Sequence, residues 1–154
     1  MAAPGRSMCA SAAATGPSPM PPDWATIAPP SLAAFEAMAE AAYARLPEDF
    51  RTLCQGVVIQ VADFATDEVL DHMGCESEFD LLGLFTGRGL AQGGAQAFTG
   101  QMPNMVWLYR RPILDYWAEG EDTLGDVITH VLVHEIGHHF GLSDADMAAI
   151  EAQP

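Results

Sequence analysis

Between residues 134 and 144 the chain reads HEIGHHFGLSD, a run in which several side-chain types could do chemistry together. Positions four apart on an α-helix stand one turn above each other on one face, so His134 and His138 can offer two imidazole nitrogens to one metal ion. Glu135 lies beside them and can take a proton from a water activated by that ion. Gly141 can adopt the left-handed conformation that ends a helix, turning the chain back so that Asp144 approaches as a third ligand. Two neutral imidazoles and one carboxylate, with the fourth position open, suit catalytic zinc; a structural site would be closed by a fourth protein ligand, usually Cys. In such a site Glu135 acts as the general base while the metal-activated water attacks a carbonyl.

The same residues have plainer uses. The two histidines could decorate the surface of an ordinary helix, and Ser143 with Asp146 has capping-box spacing, so Asp144 could simply open the next helix. Capping and ligation are compatible. His130 also stands four residues from His134 and shares its face, but is expected as a partly exposed or supporting residue rather than a ligand. His139 points about 100° away from His138 and is expected to pack or to face solvent.

The elements that must position this run fit in one domain. The chain has 154 residues, 49% of them hydrophobic, enough for a single core. Residues 1–30 are rich in Ala, Pro, Ser and Gly without a period and are expected as a disordered tail, leaving 31–154 as the folded domain. Helical spacing of Leu32, Phe35, Met38, Ala39 and Ala42 predicts a helix over Ser31 to Leu46. Gly56 to Val61 reads as a buried strand, and Asp63 to Asp80 as a solvated acidic connection with a short helix. Leu81 to Thr86 predicts a second strand, followed by a glycine-rich loop over Gly87 to Gly94. Met105 to Tyr109 predicts a third strand, read as a sheet edge, and Pro112 the first turn of a short helix ending near Gly120. Thr123 and Asp126 have capping-box spacing, so the long helix starts there, with Leu124, Val127, Ile128, Val131 and Leu132 as its buried stripe. A last helix is expected over Asp144 to Ala152.

Charge narrows the partners. The net charge is -15, from six basic and 21 acidic residues, and all the basic ones are Arg. Nucleic acid and anionic membrane are poor partners for such a chain, and without Lys neither a Lys Schiff base nor a P-loop lysine is available. No G-x-S-x-G element is present. Cys9, Cys54 and Cys75 contain no C-x-x-C pair and fit reduced thiols in the cytoplasm. The first 30 residues lack the apolar block of a signal peptide, and no apolar run reaches the length of a membrane span.

His134, Glu135, His138, Gly141 and Asp144 spell H-E-x-x-H-x-x-G-x-x-D, which is similar to the motif of the snapalysin-type zinc endopeptidases. The run from Ser31 to Asp146, with LLGLFTG, the VWLYRRPIL segment and the histidine helix near the C-terminus, more closely resembles the small bacterial zinc peptidases known as minimal zincins. That resemblance implies an α+β, zincin-like fold, a small twisted sheet packed on the active-site helix with one strand edge open to an extended peptide or protein substrate. It also implies His134, His138 and Asp144 as ligands of Zn2+, with Glu135 as the base. The chain departs from metzincins in its third ligand, Asp rather than His, and in leaving no room for a Met-turn. Tyr109 is a candidate oxyanion stabiliser, although a packed strand aromatic is the commoner use of such a residue. Gly87 to Ala91 with Gly74 to Ser77 resembles elements of peptide deformylases, but in reversed order, so the glycines read as a turn and Cys75 as an ordinary small residue. The alternative function is a metal-stabilised binding module with little or no turnover.

Overall fold

The computed structural model describes residues 16–54, 56–87 and 103–154. The expected tail up to residue 15, and the glycine-rich loop beyond Gly87, lie outside the described residues. Residues 16–30 contain one 3-10 turn, Trp24–Thr26, without buried residues, and the Pro30 carbonyl accepts from Arg110 Nε at 2.8 Å.

Helix α1 (Leu32–Arg45) starts where Ser31 Oγ accepts from the Ala34 N–H, and it buries Phe35, Ala39 and Ala42. A short α2 (Glu48–Leu53) follows, then strand β1 (Val58–Ala62) and, within the acidic stretch, α3 (Asp67–Met73). Strand β2 (Gly83–Thr86) precedes β3 (Met105–Tyr109), which runs directly into α4 (Arg110–Glu119). Pro112 stands in the first turn of α4, where its missing N–H costs no hydrogen bond.

The three strands form a mixed sheet in the order β1-β3-β2, β1 parallel to β3 and β2 antiparallel to it. The expectation that Met105–Tyr109 lies at an edge is therefore corrected: β3 is central, and among the described residues the edges are β1 and β2. The physical reason is visible in its burial. Val106 and Leu108 face the core shared with α1 and the long helix, while Tyr109, with Trp107 against it, packs in a second cluster with Ala65, Leu70 and Leu81. A strand apolar on both faces is covered on both, as a central strand is.

The long helix α5 (Leu124–His139) crosses the first of these faces. Thr123 caps it, with Oγ1 accepting from the Asp126 N–H at 3.2 Å and donating to Asp126 Oδ2 at 2.6 Å. Val127, Ile128, Val131 and Leu132 are buried as the periodicity predicts, and Val133 and Ile136 join them. Sheet and helix approach closely at Gly83, where a Cβ would stand 2.8 Å from Val131 Cγ1 and 3.1 Å from Glu135 Cγ. Gly141, at φ +75°, ends the helix as expected, and Ser143 then caps α6 (Asp144–Glu151) through a full capping box with Asp146. Met147 of α6 is fully buried against Gly137 of α5. The architecture is α+β, and among the described residues no helix is long and apolar enough to cross a membrane.

Candidate metal centre

Three histidines climb one face of α5 at intervals of four residues. The ring centroids of His130 and His134 are 4.0 Å apart and those of His134 and His138 are 5.5 Å apart, so the face is a continuous imidazole stripe. His134 is half-buried and His138 exposed. The pKa of His134 is lowered, first by burial and then by His130 and His138, with Glu151 and Asp144 opposing the shift. A lowered pKa favours the neutral imidazole, the form that binds metal.

Asp144 is the first residue of α6, exposed, and close enough to His134 for its charge to act on that ring. The turn that brings it there is local. Gly141 N–H donates to the His138 carbonyl at 3.2 Å and Leu142 N–H to that of Gly137 at 2.9 Å, while Ser143 fixes the start of the next helix. The capping alternative for this segment is thus realised by Ser143 and Asp146, and it leaves the Asp144 carboxylate uncommitted to the cap.

Glu135 points to a different neighbour, the β2 strand. It is half-buried beside Gly83, and burial pushes its pKa up to about 7, the Phe85 backbone N–H partly opposing the shift. His139 is a packing residue, its ring stacked on Phe85 with centroids 4.1 Å apart and its pKa lowered by burial. Tyr109 is buried in the second cluster, a packed strand aromatic; burial, and then the Glu135 carboxylate, raise its pKa.

One participant escaped the sequence reading. Glu151, at the last turn of α6, sets its Oε1 3.0 Å from His130 Nδ1 and 3.6 Å from His134 Nε2. This oxygen is buried and lacks a hydrogen-bond partner despite the two ring nitrogens beside it. His130, His134 and Glu151 form, among the described residues, the one group of three potential ligands whose donor atoms all lie within 4.8 Å of one another. The signal that would have found Glu151 is the spacing of Asp144, Met147 and Glu151: steps of three and four place them on one face of α6, and the buried Met147 shows that this face meets α5. The donor set available on the two helices, three imidazoles and two carboxylates with one buried oxygen unpartnered, fits a divalent cation such as zinc.

A family model described as zincin-like metallopeptidase matches residues 54–153, a span containing β1, β2, β3, α5 and α6. No curated protein matches the chain.

Proposed function

We propose, from the premise that the chain belongs to the zincin-like metallopeptidase family, that it hydrolyses peptide bonds with a zinc ion held by His134, His138 and Asp144 and with Glu135 as general base. A bound zinc ion supplies Lewis acidity, polarising the scissile carbonyl and acidifying water. The protein's own groups do the rest. His134, kept neutral by its surroundings, keeps a nitrogen lone pair available. Glu135 accepts a proton from the attacking water and returns it to the leaving amine, a task for which a partly buried carboxylate is a stronger base than an exposed one.

The observation that carries this reading is the placement of Glu135 between the metal-binding face of α5 and the edge strand β2, which approaches closely only because residue 83 is Gly. An extended peptide adding to β2 would set its carbonyl groups beside the base. That relocates the substrate edge from Met105–Tyr109, now known to be central, to Gly83–Thr86. Metal analysis and cleavage of a peptide library test the proposal together. Glu135→Ala is expected to lower kcat/KM by about 10²- to 10⁴-fold with the zinc content unchanged; equal cleavage by the variant removes Glu135 as the base.

A metal-stabilised module with little turnover remains the second reading, favoured by the burial of Tyr109, the candidate oxyanion stabiliser, among the side chains of the second cluster. Stripping the metal with a chelator would then lower the melting temperature sharply in a protein that cleaves no peptide in the library. The proposed compartment is the cytoplasm, where the thiols of Cys54 and Cys75, both free, stay reduced.

A further inference from the structure

His130 and Glu151 have no task in that reaction, yet their geometry is the tightest on the histidine face. We propose that His130, His134 and Glu151 form a second divalent-cation position, adjoining the catalytic one and taking a zinc-like ion through His130 Nδ1, His134 Nε2 and Glu151 Oε1. Donors bonded at about 2.0–2.1 Å to one tetrahedral ion stand roughly 3.3 Å apart. Glu151 Oε1 lies 3.0 and 3.6 Å from the two nitrogens, on either side of that separation. The oxygen is also buried without a hydrogen bond, an unfavourable state that a cation between the imidazoles removes.

The approach to this position is suited to cations. A pocket of about 180 Å³ opens against His130 and Glu151, and Asp122, Asp126, Tyr116 and Val127 complete its wall. Two further carboxylates there draw a divalent ion inward, and the mixed nitrogen and oxygen donors select zinc, copper or nickel over calcium or magnesium. Because a neutral imidazole has one free lone pair, His134 can serve one position at a time. The two positions therefore exclude each other and the chain holds one tightly bound ion; this exclusion, though not the second position itself, rests on His134 being a catalytic ligand.

The test uses the full chain and Co2+ as the probe. His138 and Asp144 are exposed, so the double variant His138→Ala/Asp144→Ala leaves the core intact while removing two of the proposed catalytic ligands. It is expected to retain one Co2+ per chain, read by visible absorption and elemental analysis, and to show a zinc-induced 15N shift at His130 Nδ1. Adding Glu151→Gln is expected to weaken Co2+ binding more than about tenfold. No retained Co2+ in the double variant overturns the proposal. So does retention that is indifferent to Glu151→Gln or leaves His130 unshifted, which would make the pair only a tether between α5 and α6. Two tightly bound ions in the wild type overturn the exclusion. Wild-type peptide cleavage separates the two readings: a Glu135-dependent peptidase whose double variant holds no ion loses only the second position, and a double variant that holds its ion beside an inactive wild type loses only the proposed reaction.

Discussion

Gly137 shows how a single residue governs the site without touching it. On an isolated helix, Ala in place of Gly would gain about 1 kcal/mol. Here a Cβ would stand 2.5 Å from Met147 Sδ and 2.8 Å from its Cγ, and Met147 is fully buried, so the side chain must repack within the core. Overpacking of that kind costs about 1–3 kcal/mol, so the clash outweighs the propensity. Gly137→Ala should therefore lower the melting temperature and, by pushing α6 outward with Asp144 and Glu151, weaken metal binding. A variant that melts higher than wild type would show that α6 does not rest on α5 as described. Glu135 makes a related point at the same scale, since its elevated pKa follows from burial against β2 more than from any charge nearby.

Among the elements, α1 packs against α5 and β1, and the junction of α1 with α2 is expected to respond to pH. Tyr43 Oη and Cys54 Sγ are 3.5 Å apart, and burial raises the pKa of both groups. For a group whose folded pKa exceeds its unfolded value, stability is fully present below the unfolded pKa and is lost as pH rises toward the folded one. The loss should begin near pH 8.5 as Cys54 becomes ionisable in the unfolded chain and steepen near pH 10 with Tyr43. Thermal melts across that range should fall less steeply above about pH 10 for Tyr43→Phe than for wild type. Parallel slopes would remove Tyr43 from this linkage. The turn from α5 to α6 was legible beforehand, since Gly141, Ser143 and Asp146 act on backbone groups within a few residues of themselves.

For the molecule as a whole the dominant quantity is a net charge of -15. Its field favours peptides carrying Arg or Lys, and ions in solution screen it over a Debye length that shrinks from about 30 Å at 0.01 M to about 3 Å at 1 M salt. KM for cationic peptides is expected to rise with ionic strength while that for neutral peptides stays nearly constant; equal salt dependence for both would mean that charge plays no part in recognition. The helices other than α2, the caps of α1, α5 and α6, the paired histidines and the neighbouring Glu135 could be read from the chain alone, because a helical face and a cap depend on residues within about four positions of one another; the short α2 (Glu48–Leu53), only six residues long, left no such pattern. The existence of three strands could be read as well. Their order could not: β1 pairs with β3 across an intervening helix and strand, and nothing within the MVWLY run says which partners will flank it. Only the packed structure made that strand central and set β2, an outer strand among the described residues, beside Glu135. It alone also brought Glu151 to His130 and His134, since that meeting depends on the angle at which α6 folds back over α5 and on the Gly137–Met147 contact that sets it.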